Sequence, residues 1–184
     1  KITPLPDVAK APLWAAPPEL AKSAPRGTAD YFPQEIASYT GFLRQAIQRY
    51  GAYTHYWQIM NEVSCPHQFY GGTAADYVAL LKAVRETARS VDPEAKIVSG
   101  AHVYSGEISA FVEEVLRTGR EHFDIGGLHC HGPIETLKPA IGAALKAWKA
   151  AGIEKPIWVD EAGLPVDPAD PQGEMTKADT VAKK

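Results

Sequence analysis

Strand-sized apolar runs centred near residues 58, 98, 127 and 158 alternate with helix-length amphipathic stripes. Roughly 30–40 residues separate successive runs, room for one helix each, as repeated right-handed βαβ units require. The runs are apolar almost throughout rather than alternating, which fits parallel strands covered on both faces. An open doubly wound sheet would show the same rhythm, but it usually carries a glycine-rich phosphate loop after its first strand. Gly71-Gly72 and Gly126-Gly127 do not have that spacing. The expected fold is α/β, a partial (β/α)8 TIM barrel of parallel strands alternating with helices.

Local signals place the elements. Ile36, Tyr39, Leu43, Ala46, Ile47 and Tyr50 recur at helical spacing and predict a helix over 34–50, followed by a strand over 55–61. Thr73 and Asp76 match a capping box. The helix they open carries Tyr77, Leu80, Leu81, Val84 and Ala88 on one face and stops before Asp92-Pro93. A strand over 96–101 follows. Ile108, Phe111, Val112, Val115 and Leu116 predict a helix closed by Gly119, then a strand over 123–129. Leu137, Ile141, Leu145 and Trp148 mark a helix closed by Gly152, then a strand over 156–161. Residues 1–33, rich in proline, are expected to be irregular loop, and 175–184 begin a polar, helix-prone tail.

A closed barrel of this type takes about 250 residues. The chain has 184 and its pattern starts and stops mid-repeat, so 1–184 is expected to be a single, incomplete domain that needs the rest of its barrel. Alone, such a stretch is expected to be unstable or to self-associate. A net charge of −3 without a basic stripe speaks against a nucleic-acid partner. No apolar run approaches the roughly 20 residues that cross a bilayer. Cys65 and Cys130 are too few for a disulfide framework. No signal peptide is visible; location stays open, with an extracytoplasmic one favoured.

Two of the strands end in a carboxylate. Glu62 closes His55-Tyr56-Trp57-Gln58-Ile59-Met60-Asn61-Glu62, and Glu161 closes Lys155-Pro156-Ile157-Trp158-Val159-Asp160-Glu161. In a parallel barrel the C-terminal strand ends carry the chemistry. Two carboxyl groups facing one cleft suit glycosidic-bond cleavage, in which one donates a proton and the other attacks or activates water. A lone strand-end glutamate is as well explained as a helix cap or an ion-pair partner. The two together, with helices between, carry the chemical reading.

Trp57-Gln58-Ile59-Met60-Asn61-Glu62 resembles the W-x-I-x-N-E strand of the clan A glycoside hydrolases, cellulase-like retaining (β/α)8 enzymes. Arg49-Tyr50-Gly51 before it resembles the end of their preceding helix. Asp76-Tyr77-Val78 and Val91-Asp92-Pro93-Glu94-Ala95-Lys96-Ile97-Val98 resemble the following helix and strand. Phe123 to His129 resembles the sixth strand, Lys155 to Gly163 the seventh, and Pro12-Leu13-Trp14-Ala15 the loop after the third. The resemblance runs from the end of strand three to the start of helix seven. Strands one, two and eight and most of three are missing.

The resemblance implies Glu62 as general acid/base and Glu161 as nucleophile, a carbohydrate substrate and no cofactor. It implies that Asn61 binds the sugar 2-hydroxyl and that His129 lines the sugar subsite. At His131 many relatives carry a tyrosine that hydrogen-bonds the nucleophile, so the partner of Glu161 is open. Adjacent strand residues point to opposite faces, so Asn61 and Glu62 reach one site only if the strand end is irregular. Trp14, in a loop, is a candidate platform for sugar stacking. Trp57 and Trp158 lie inside strands and Trp148 in a helical stripe, where core packing is expected. His102 and Tyr104 follow the second strand and are candidates to shape the pocket. A metal set from His129, His131, Cys130 and His102 matches no usual zinc spacing, and none is expected. A carbohydrate-binding barrel without turnover is the alternative reading.

Overall fold

The structure, a computed structural model, describes residues 2–9, 11–12, 28–29, 32–33, 35–65, 72–103, 108–132 and 134–163. The elements are β1 (Asp7–Val8), β2 (Ala11–Pro12), β3 (Thr28–Ala29), α1 (Ile36–Tyr50), β4 (Tyr56–Ile59), α2 (Ala74–Val91), β5 (Lys96–Val103), α3 (Ala110–Gly119), β6 (Ile125–His131), α4 (Ile134–Ala150) and β7 (Ile157–Gly163). Five strands form one parallel sheet in the order β1-β4-β5-β6-β7. A helix links each neighbouring pair from β4 onward. β2 and β3 make a separate antiparallel pair.

The irregular loop expected over 1–33 is interrupted by β1, whose two residues register with Gln58 and Ile59. Gln58 N–H donates to Pro6 O at 2.9 Å and Met60 N–H to Val8 O at 3.0 Å, and the Tyr39 hydroxyl of α1 also reaches Val8 O. Pro6 immediately precedes β1, a position tolerated because β1 is the edge strand of the sheet among the described residues. The tail over 175–184 and the loop residues Leu13, Trp14 and Ala15 lie outside the described residues.

The helices pack on the outer face of the sheet. Leu43 and Ile47 of α1, Leu80, Leu81 and Val84 of α2, Val115 and Leu116 of α3 and Trp148 of α4 bury against Trp57, Ile59 and Ile97 of the strands. Each such side chain contributes about 1.5–3 kcal/mol. Asp124, just before β6, ties layers together. Its carboxylate accepts from Ile97 N–H at 2.9 Å and pairs with Arg85 at 3.0 Å and Arg89 at 2.9 Å.

The inner face is concave. Tyr56 of β4 and Trp158 of β7 have two strands between them in the sheet, yet their ring centroids are 5.0 Å apart. Only a strongly curled sheet brings them together, as in a barrel wall.

Gly152 has the left-handed φ of 67° expected at a helix C-terminus. Gly119 does not. It has a right-handed φ of −105° and leads into a 3-10 turn over Arg120–His122. Its smallness serves packing instead, because a Cβ there would stand 2.8 Å from a methyl of Val78 on α2.

The capping box that opens α2 is present. Asp76 N–H donates to Thr73 Oγ1 at 3.2 Å and Thr73 N–H to Asp76 Oδ2 at 2.8 Å. Thr73→Ala is expected to cost about 1 kcal/mol in denaturant unfolding. The Thr73 hydroxyl, donating to Asp76 Oδ2 at 2.7 Å, and the Thr73 N–H together hold the Asp76 carboxyl below its usual range. Its contribution is thus present above about pH 4 and lost as pH falls through the lowered value, so the penalty of Thr73→Ala should shrink in acid.

Candidate active site

The C-terminal ends of β4, β6 and β7 meet at four side chains. His129 Nδ1 lies 2.9 Å from Glu62 Oε1, and His129 Nε2 lies 3.6 Å from Glu161 Oε2. His131 Nε2 lies 3.2 Å from Glu161 Oε1. One donor atom of each of Glu62, His129, His131 and Glu161 falls within 4.8 Å of all the others. The two carboxyl groups expected at strand ends therefore face one another, with His129 between them.

Three departures from regular strand geometry decide which side chains join this cluster. The first is at the end of β4. Met60 and Glu62 have left-handed φ values of 63° and 47°, conformations that cost a non-glycine residue about 1–3 kcal/mol and concentrate at functional sites. They break the alternation that would send Asn61 and Glu62 to opposite faces. Asn61 Oδ1 accepts from Gln58 Nε2 at 3.4 Å, while Glu62 turns to His129. The kinked chain passes so close to β5 that a Cβ on Gly100 would stand 2.6 Å from Ile59 O.

The second is a bulge in β7. Leu128 registers with Val159, but His129 registers with Glu161, leaving Asp160 as the extra residue. A regular strand would have set Asp160 beside His129 and turned Glu161 to the outer face. The displaced Asp160 accepts from Leu128 N–H at 3.0 Å, and burial pushes its carboxyl up from the usual range.

The third is a bulge in β5 between Ser99 and His102. Its extra residue pairs His102 with Leu128, an outward-facing residue packed with Ala140 and Ala144 of α4. His102, expected to shape the pocket, thus lies under the helices instead. Its ring stands edge-on to Trp148 at 6.5 Å, and burial lowers its pKa to about 4. Tyr104 and Trp14, the other expected subsite residues, lie outside the described residues.

The cluster has a closed half and an open half. The side chain of His129 is 2% exposed and that of Glu62 11%, whereas those of His131 and Glu161 are 44% and 53% exposed. His129 and His131 share the inner face because they are two apart on β6. Cys130 between them faces α4, and neither it nor Cys65 forms a disulfide. Trp57 and Trp148 are core residues, and Trp158 forms the floor of the concave face with Tyr56.

Tyr77 of α2, which the sequence offers only as an apolar-face residue, secures the kink. Its hydroxyl donates to Ile59 O at 2.9 Å and accepts from Gly100 N–H, joining β4 to β5 below Glu62. Tyr77→Phe withdraws a partner from two buried backbone groups. A loss of about 2 kcal/mol in denaturant unfolding is expected, with a fall in any activity that depends on Glu62.

The comparisons bear on fold. No family model matches the chain, and no curated protein does. Among solved structures, a GH39 β-xylosidase from Caulobacter crescentus superposes with a TM-score of 0.60 at 14% identity, over 77% of this chain and 33% of its own. In fold, this chain resembles part of the (β/α)8 barrel of such an enzyme. A glucosidase from Croceicoccus marinus gives 0.59 at 12% identity over 70% of this chain and 30% of its own. A family 39 glycoside hydrolase from the gut symbiont Bacteroides cellulosilyticus WH2 gives 0.57 at 21% identity over 83% and 36%. The chain therefore spans about a third of the length of each.

Proposed function

We propose that the protein is a retaining glycoside hydrolase, with Glu62 as acid/base and Glu161 as nucleophile. The observation that carries this reading is the separation of the two carboxyl groups. An oxygen of each lies within 4.8 Å of the other, close to the roughly 5–5.5 Å of retaining enzymes and well short of the roughly 6.5–9.5 Å that leaves room for water in inverting ones. The similarity to glycosidase barrels supports the same reading.

In this mechanism Glu62 protonates the leaving oxygen while Glu161 attacks the anomeric carbon from the opposite face. A covalent glycosyl-enzyme forms. Glu62 then takes a proton from water as it displaces Glu161, and the anomeric configuration is restored. His129 holds the acid/base by its Nδ1 contact. His131 stands where a donor to the nucleophile is needed. Asn61, whose Oδ1 accepts from Gln58 Nε2, is assigned the contact to the sugar hydroxyl next to the cleaved bond.

The test is a panel of aryl glycosides, both anomers of glucose, xylose, arabinose, galactose and mannose, with the first product followed by NMR. Hydrolysis of one with retained configuration is expected. Inverted product would sink the mechanism. Sugar binding without hydrolysis anywhere in the panel would favour a carbohydrate-binding barrel.

A further inference from the structure

The four-residue cluster contains a donor set that acid/base chemistry does not use. His129 Nε2 and His131 Nε2 flank the Glu161 carboxylate at 3.6 and 3.2 Å. Two imidazole nitrogens and a carboxylate converging on one point are the three protein ligands of an open zinc site, with bonds of about 2.0–2.2 Å. The other nitrogen of His129 is already committed, since Nδ1 contacts Glu62 at 2.9 Å. A carboxylate on the far side of a ligating histidine fixes its tautomer and leaves the Nε2 lone pair facing the ion. Asp160 adds to the case. Its Oδ1 lies 3.9 Å from His129 Nε2, its side chain is 5% exposed, and its Oδ2 has no hydrogen-bond partner among the described residues. Three carboxylates thus gather around one imidazole. The exposed sides of His131 and Glu161 leave an entry path.

From this geometry we infer that His129, His131 and Glu161 form a binding site for a borderline-soft divalent cation, Zn²⁺ above all, and that the bound ion blocks catalysis. Mixed nitrogen and oxygen donors select Zn²⁺ over Mg²⁺ or Ca²⁺, which take oxygen ligands. The ion ties up the Glu161 lone pairs that would attack the sugar and fills the space of the anomeric carbon. Binding stands on the donor geometry; inhibition rests on the glycosidase reading. Histidine at 131 is what creates the third ligand, so a tyrosine there should remove the site.

The full chain, freed of metal with chelator, is titrated with ZnCl2 and separately with MgCl2 by calorimetry, alongside His131→Tyr and Glu161→Gln. Circular dichroism checks that both variants fold. One Zn²⁺ per chain at micromolar affinity is expected, with no Mg²⁺ heat and at least about a tenfold loss in each variant. Co²⁺ in place of Zn²⁺ should give the intense visible bands of a four- or five-coordinate ion, absent in His131→Tyr. In parallel, Zn²⁺ should inhibit hydrolysis of the best aryl glycoside over the same concentration range, reversibly with chelator. No heat up to about 1 mM Zn²⁺, or unchanged affinity in both folded variants, overturns the site. Zn²⁺ binding that depends on His131, in a protein that hydrolyses none of the panel, upholds the metal site and sinks the glycosidase reading. Hydrolysis indifferent to saturating Zn²⁺ upholds the glycosidase reading and overturns the inhibition.

Discussion

Glu161→Gln is expected to lower kcat on the best aryl glycoside by about 10⁴-fold or more, with folding unchanged. The amide is isosteric but cannot form the glycosyl ester, so the double displacement loses its first step. Stability should be spared because the Glu161 side chain is half exposed and its contacts are to two histidines at the rim. Glu62→Gln should behave differently. The loss of a proton donor costs about 10²–10⁴-fold, and the loss depends on the leaving group. A dinitrophenolate departs without protonation, so its glycoside should retain a fast first step and then stall at the glycosyl-enzyme. A methyl glycoside should fail at the first step. Burst kinetics with both substrates read the two roles separately. Equal losses in both variants on every leaving group would mean that the carboxyl groups do not divide the work as acid/base and nucleophile.

The parts of this molecule that were legible in its sequence are those governed by local rules. The Thr73–Asp76 box, the apolar face from Tyr77 to Ala88 and the strand-sized runs each report a short-range preference, and the elements follow them to within a few residues. Glu62 and Glu161 were visible as strand-end carboxyl groups for the same reason. What was hidden depends on register. β1 exists only because the edge of β4 offers it partners, so nothing within Asp7-Val8 announces a strand. The bulges in β5 and β7 each shift one residue against a neighbour, and period-2 alternation carries no trace of that. Their effects run opposite ways: one turns His102 from the inner face to Trp148, and the other brings Glu161 inward in place of Asp160. The condition set by Asn61-Glu62 was readable as a need for an irregular strand end. Its fulfilment, through left-handed Met60 and Glu62 beside a glycine at 100, was not.

Gly126→Ala is expected to be strongly destabilising for a single added methyl. Gly126 lies on the outer face of β6, and a Cβ there would stand 2.2 Å from Cζ2 and 2.9 Å from Cη2 of Trp148. The ring cannot simply retreat, because it packs against Phe123 at 6.2 Å and His102 at 6.5 Å. The neighbouring cavity, lined by His102, Val112, Ala144 and Ile157 among others, holds only about 10 Å³ of free space. Overpacking of this kind costs about 3 kcal/mol, and in a domain of this size roughly 6–12 °C in Tm. Either α4 lifts from the sheet or β6 bows inward, and the second response pushes His129 against Glu62 and Glu161. Gly126→Ala should therefore lose activity at temperatures where the fold survives. Trp148→Phe removes the ring atoms that the methyl would strike, so the double variant should be less destabilised than the two single losses added together. Strict additivity would show that the glycine is tolerated there for some reason other than the tryptophan.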